Sequence, residues 1–413
     1  MRIIADLHIH SPYSRAVSKE MTLENLDIWA KKKGINIMGT GDFTHPVWIK
    51  DIKDKLEPAE QGLYKLKMSD TGTRFMLSVE ISSIYKKNNK VRRVHNIIFA
   101  PSIEIAEKIN AELGWRGNLR SDGRPILGLD SKELLKIVLG VDERCMFVPA
   151  HAWTPWFSIF GSMSGFNSIE ECFDEYAKHI FAIETGLSSD PAMNWRWSHL
   201  NNIALISNSD SHSLPKIGRE ANVFDTEFSY NAIKEAIKSR DPKKFLFTIE
   251  FFPEEGKYHY DGHRDMKHSQ GPDVTKKHKG LCGECGKKIT VGVMSRVEEL
   301  ADQESRQEGR IPYKNLIPLN EIIAEAMNVG VQAKKVKEEY DKLILELGSE
   351  FFILLDADEN EIRSATTPAV TEAVIRVRKR KVNVEPGYDG EYGKIKIFDS
   401  EERNFQEPQA KLF

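Results

Sequence analysis

Four cysteines in 413 residues are too few for a disulfide framework. Cys145 and Cys172 stand alone in apolar surroundings, whereas Cys282 and Cys285 form a C-x-x-C pair suited to either a metal knuckle or redox chemistry. No run of about 18 uncharged apolar residues occurs, so no membrane-spanning helix and no membrane partner are expected. No charged leader precedes the first apolar run, which makes the cytoplasm the expected compartment. Charge of one sign is also lacking. With 59 Lys and Arg against 62 Asp and Glu the net charge is -3, so global charge alone argues for no nucleic-acid partner. Neither a repeat nor a low-complexity tract is present. What remains is an ordinary globular composition, 40% hydrophobic and 29% charged, long enough for two or three domains.

Through residues 1–252, strand-like runs alternate with helical ones, the pattern of an α/β domain built on a parallel sheet or a barrel. Residues 2–9 predict the first strand. Thr22 caps a helix whose Leu23, Leu26 and Ala30 recur at helical spacing and which Gly34 stops, and residues 35–40 form the second strand. Residues 74–84 and 91–100, joined by Lys87-Asn88-Asn89-Lys90, predict a hairpin. Further strands fall at 145–150, 180–184 and 203–207. Residues 253–310 make a small module in which 267–296 carry seven Lys and Arg against two acids, a local basic patch. Residues 311–413 turn helical at 319–327, 331–347 and 368–380, the last capped by Thr367. They finish with 387–393 as a turn between two short strands.

The chemistry starts at Asp6-Leu7-His8-Ile9-His10. On a strand Asp6, His8 and His10 project from one face, which is half a metal site or a pair of hydrogen-bonded histidines. Asp42, Glu80, His151, Asp210 and His212 fall at the trailing ends of later strands, the rim on which α/β barrels build active sites. With His95 these make five imidazoles and three carboxylates, a donor set for two or three borderline divalent ions, with Glu80 able to bridge. Burying so many ionisable groups unpaired would cost several kcal/mol each.

Asp6-Leu7-His8-Ile9-His10, Gly39-Thr40-Gly41-Asp42, Ser78-Val79-Glu80-Ile81, His95, Pro149-Ala150-His151 and Ser209-Asp210-Ser211-His212 follow one another in order through the first 252 residues. This region resembles the PHP (polymerase and histidinol phosphatase) phosphoesterase superfamily. The resemblance implies an α/β fold with a distorted (β/α)7 barrel holding up to three divalent ions, zinc with magnesium or manganese as alternatives. His8, His10, Glu80 and Asp210 would hold one ion and Glu80, His95 and His151 a second. Asp42 and His212 would serve a third, where Arg15 replaces another common ligand. The implied chemistry is attack of metal-activated water on a phosphoester, with Asp210, Glu80 and His151 catalytic. Asp6 and Glu184 would orient ligand histidines from behind, and Arg219 would clamp phosphate.

Cys282-Gly283-Glu284-Cys285-Gly286 has knuckle spacing, and His263 and His268 offer a second pair of ligands; the lysine-rich setting lacks the βαβ context of a redox pair. So short a module needs a staple, which predicts structural zinc on His263, His268, Cys282 and Cys285 beside a phosphate backbone. Leu7-His8-Ile9-His10-Ser11-Pro12-Tyr13-Ser14, Glu184-Thr185-Gly186-Leu187-Ser188-Ser189-Asp190-Pro191, Asp261-Gly262-His263-Arg264, the stretch 296–302 and Pro386-Gly387-Tyr388-Asp389-Gly390 resemble the endonuclease Q family of DNA repair enzymes. Met266 stands where its members tend to carry cysteine.

That resemblance implies a PHP barrel, a zinc-binding module and a mainly helical C-terminal domain that binds DNA. It implies a monomeric endonuclease that nicks 5′ of uracil, hypoxanthine, xanthine or an abasic site, taking the lesion out of the stack. A sliding clamp is a further candidate partner. Trp115, Trp153, Trp156 and Tyr388 are candidate stacking surfaces, and the basic run 376–381 adds phosphate affinity. Two other readings compete. One is a PHP phosphatase for a small phosphomonoester, which needs neither the basic module nor the helical region; the other is a DNA-binding protein with an inactive barrel, against which the complete donor set speaks.

Overall fold

The computed structural model describes residues 1–306 and 308–399. Seven segments, Arg2–Asp6, Ile37–Gly39, Arg74–Lys87, Lys90–Ala100, Met146–Pro149, Ala182–Glu184 and Ala204–Ile206, succeed one another around a distorted barrel. Pairing is parallel from the first to the third, antiparallel from the third to the fifth, and parallel between the last two. Two seams lack a ladder. Ala152 N donates to the Glu184 carbonyl (2.9 Å) across one, and an isolated Ile9–Ser211 bridge with Leu7 N donating to Asn208 Oδ1 (2.9 Å) closes the other. Alternate positions of all seven strands, among them Ala5, Ile37, Met76, Ile97, Val148, Ala182 and Ile206, fill one interior cluster, as period-two alternation requires.

The local signals act where the sequence puts them. The Thr22 side chain accepts from Asn25 N at the start of Leu23–Lys33, and Asn88 and Asn89, both at positive φ, turn the hairpin Arg74–Lys87/Lys90–Ala100. The first strand, expected over 2–9, stops at Asp6; residues 7–10 leave the sheet and cross the barrel mouth instead. The sheet is mixed rather than parallel. Ala221–Asp225 and Phe245–Glu250 add antiparallel strands outside Arg2–Asp6, and Tyr313–Asn315 extends that edge in parallel. None of these three was anticipated.

Beyond the barrel, a small hairpin (Asp261–His263/His268–Gln270) and the helix Val293–Leu300 lead to the C-terminal helices Leu319–Ala326, Lys334–Leu347, Glu350–Leu355, Glu359–Ala365 and Pro368–Arg378, with Thr367 capping the last. Asn383–Glu385 pairs with Lys394–Lys396 around the 387–393 turn. The helices lock onto the barrel through Lys33 Nζ and Glu350 Oε2, 2.8 Å apart and nearly fully buried, and through Arg2 with Asp356 at 2.8 Å. Arg296, counted above in the basic patch, is instead buried: its guanidinium donates to the Phe160 and Phe166 carbonyls and to Asn167 Oδ1. No described helix is long and apolar enough to cross a membrane.

Candidate metal centre and active-site mouth

The segment that leaves the first strand carries His8 and His10 to the mouth, both essentially buried. A carboxylate stands behind each ring. Glu184 Oε1 lies 3.0 Å from His8 Nδ1, and Asp42 Oδ1 lies 3.0 Å from His10 Nδ1. A carboxylate on Nδ1 fixes the tautomer that turns the Nε2 lone pair forward. His10 Nε2 lies 3.0 Å from Asp210 Oδ1 and 3.4 Å from Glu80 Oε2. His8 Nε2 has no hydrogen-bond partner, with Glu80 Oε2 at 3.7 Å and Asp210 Oδ1 at 3.8 Å. On the other side of Glu80, Oε1 lies 2.7 Å from His95 Nδ1 and 3.0 Å from His151 Nε2.

Two groups result, His8, His10, Glu80 and Asp210, and Glu80, His95 and His151, each with ligand atoms within 4.8 Å of one another and Glu80 common to both. Burial disfavours the imidazolium of His8, yet Glu184 and Glu80 raise it well above the ordinary histidine range; His10 is raised likewise by Asp42, Asp210 and Glu80. Burial opposes ionisation of Glu80, but His95 and Arg124 bring it well below the ordinary carboxylate range. Burial pushes His95 down to about 4, against the opposing pull of Glu80. Mixed imidazole and carboxylate donors, with a buried Nε2 that no protein group satisfies, fit borderline divalent ions.

Strain accompanies the geometry. Asp42, His151 and Asp210 hold φ of 49°, 30° and 46°, a region costly to residues with a side chain and typical of functional sites. Gly186 makes the His151 turn fit, because a Cβ there would lie 2.5 Å from His151 Cβ.

Other expected residues take different places. Asp42 gives Oδ2 to Ser11 N, Ser11 Oγ and Ser14 Oγ, so both its oxygens are engaged and it stands to His10 as Glu184 does to His8, not as a free ligand. His212 Nδ1 bonds the Asp210 carbonyl (2.9 Å) and its ring packs 4.8 Å from that of His10, outside both groups. Asp6 touches no imidazole. It accepts from Ser209 N (3.0 Å) and Gly218 N (2.9 Å), fixing the loop that carries Asp210. Arg219 Nε donates to the Ser209 carbonyl, bracing the same loop. Trp153 is buried in the core and Trp115 is exposed, whereas Trp156 lines the mouth and Tyr388 packs over Gly262.

The mouth is a cavity of about 670 Å³ that His95 and His151 line together with Arg15, Arg93, Asp122, Arg124, Trp156, Phe157 and Tyr258. Arg124, whose Nη1 lies 3.2 Å from Glu80 Oε2, escaped the sequence reading because its loop has no periodicity and no motif. Gly123 beside it is the one signal: a Cβ there would lie 2.3 Å from Asp42 Oδ2, so only glycine lets the loop cross so close.

At the second centre His263, Cys282 and Cys285 converge, with Cys285 Sγ 3.2 Å from His263 Nδ1. Although desolvation works against the thiolate, the backbone N–H groups of Cys285 and Glu284 lower the Cys282 thiol to about 7. His268, expected as a fourth ligand, stands outside this group, its Nε2 held by Gln270 Oε1 at 3.0 Å.

A model of the MJ0043 C-terminal domain family matches residues 318–381. The chain is 35% identical over 254 residues to the uncharacterised protein MJ0043 of Methanocaldococcus jannaschii, a match over 59% of this chain that spans 31% of that longer relative. With uncharacterised YqxK of Bacillus subtilis, 30% identity extends over 417 residues, 96% of this chain and 99% of YqxK. The lesion-specific endonuclease PfuEndoQ of Pyrococcus furiosus superposes with a TM-score of 0.85 at 32% identity, covering 98% of this chain and 100% of its own. An endonuclease Q in complex with a 27-mer duplex substrate, an abasic lesion at its active site, superposes at 0.84 and 32% over 97% of each chain. Likeness of this degree over the full length of both partners means that the chain belongs to the endonuclease Q family.

Proposed function

We propose that the chain is a metal-dependent DNA repair endonuclease that nicks the phosphodiester bond 5′ of a deaminated base (uracil, hypoxanthine, xanthine) or an abasic site. The observation that carries the reading is Glu80, shared by two ligand groups, one of which presents His95 and His151 to an arginine-rimmed mouth; the family's abasic-lesion complex supports DNA as the partner. His8, His10, Glu80 and Asp210 would hold one ion and Glu80, His95 and His151 another, zinc with magnesium or manganese as alternatives. Such ions supply Lewis acidity toward a phosphodiester and water acidified to near neutral pH.

The chain's own residues do the rest. Glu184 and Asp42 fix the ligand rings, while Asp6 and Arg219 hold the loop of Asp210. Asp210, a quarter exposed, meets incoming water and orients it. Trp156, Phe157 and Tyr258 wall the mouth with surface on which an extruded nucleotide stacks. Deamination replaces an amine with a carbonyl beside an N–H, so a pocket with one donor and one acceptor rejects adenine and cytosine by leaving buried groups unpaired. His263, Cys282 and Cys285 hold structural zinc, and the lysines around them contact the DNA backbone.

A nicking assay on duplexes carrying one deoxyuridine, deoxyinosine or abasic site, with and without divalent metal, tests this. A single metal-dependent cut immediately 5′ of the lesion, abolished by Asp210→Ala with DNA binding retained, is expected. Equal cutting of undamaged DNA, or action on small phosphomonoesters alone, would overturn the reading.

A further inference from the structure

Resting on that reading, we propose that Arg124 is a catalytic residue of the same reaction: its guanidinium grips a non-bridging oxygen of the scissile phosphodiester and stabilises the charge that builds there. A guanidinium cannot ligate a cation, having no lone pair to give and keeping its proton at any physiological pH. Yet Arg124 Nη1 sits 3.2 Å from Glu80 Oε2, the carboxylate common to both ligand groups. A fixed cation beside a cation-collecting cluster is repelled by whatever the cluster gathers, and the one carboxylate it meets, Glu80, is also committed to both ligand groups, so a further anion is needed between them. A phosphodiester entering the mouth is that anion.

The placement is rigid. Gly123 N donates to the Tyr13 carbonyl (3.1 Å), Arg124 N to Asp122 Oδ1 (3.0 Å) and Ser82 N to the Pro125 carbonyl (3.1 Å). Ile126–Leu127 then pairs with Ser82 and Ser83 of the long strand that carries Glu80. The side chain is a quarter exposed, and the bond to Glu80 is its one hydrogen bond among the described residues, leaving the rest of its planar fork to the cavity. Donors fixed in advance and aimed at developing charge need no reorganisation when the reaction occurs. Lysine would bring charge without the fork.

The test compares wild type, Arg124→Ala and Arg124→Lys in single-turnover nicking of a lesion duplex and in hydrolysis of bis(p-nitrophenyl) phosphate. Metal content, duplex affinity and rescue by millimolar free guanidinium are measured alongside. Both variants are expected to keep wild-type metal content and duplex affinity. The alanine variant should lose about 100- to 1,000-fold in rate and regain part of it with guanidinium, and lysine should restore only a fraction. An unchanged rate in Arg124→Ala, or a loss that follows loss of metal and resists guanidinium, overturns the proposal. If wild type leaves lesion DNA intact but cleaves the small diester with the same dependence on Arg124, the lesion-DNA reading fails and the role of Arg124 stands.

Discussion

Glu184 Oε2 accepts a hydrogen bond from His151 N at 2.8 Å while Oε1 faces His8 Nδ1 at 3.0 Å, so one buried carboxylate anchors a residue from each of the two ligand groups. Glu184→Gln keeps the volume but gives up acceptor capacity. Its metal affinity is expected to fall about 10- to 100-fold, read by competition with a coloured chelator, with circular dichroism unchanged.

The zinc proposed for the small module should distinguish His263 from His268. His263→Ala and Cys285→Ser should each lose one bound zinc per chain by elemental analysis, because both atoms belong to the convergent group. His268→Ala should keep it, since that ring is turned to Gln270. Zinc loss in the His268 variant would return that residue to the ligand set.

Burial raises the Glu250 carboxyl to about 8. Its raised folded value means that the native state binds the proton more tightly than the unfolded chain. The stability this contributes is complete below the ordinary glutamate range and is lost as pH rises through about 8. Glu250→Gln, which still accepts from Thr185, should therefore melt close to wild type below the ordinary glutamate range and increasingly above it from about pH 5 to about pH 8, levelling off beyond. Thermal scans across that range check it, and a gap that shrinks with rising pH would contradict it.

The Lys33–Glu350 pair joins the barrel's first helix to the C-terminal helices, with Glu350 also accepting from Tyr340 Oη (2.8 Å) and Leu319 N (3.1 Å). Removing one partner strands a buried charge, so Lys33→Ala should cost about 3 to 5 kcal/mol in denaturant unfolding. Lys32→Ala, whose partner Asp341 is exposed, should cost less than about 1 kcal/mol.

Much of the candidate centre's geometry was legible because its potential donors lie on or next to regular strands, where alternation and strand ends are local signals. His8, His10, Glu80, His95, His151 and Asp210 converge in the two groups that motif order implies. The setting of Asp42 was not legible because sequence cannot tell a ligand from the carboxylate behind it; three hydroxyl and amide donors from residues 11–14 engage its Oδ2, through contacts 28 or more residues apart. The setting of His268 was hidden for a similar reason, its ring held by Gln270 two residues along the same short strand. The strand Ala221–Asp225 was hidden because its pattern is nearly all buried, with no alternation to read. The helices Glu350–Leu355 and Glu359–Ala365 carried readable caps at Ser349 and Asp358 but are too short for a convincing period.

The left-handed backbone at Asp42, His151 and Asp210 leaves a mark on descent. At each position glycine would relieve torsional cost, so only the chemistry keeps a larger residue there. Lineages freed from selection for cleavage should drift to glycine or asparagine at these three sites while the barrel interior is still intact, which gives a way to pick out degenerate copies before any of them is assayed.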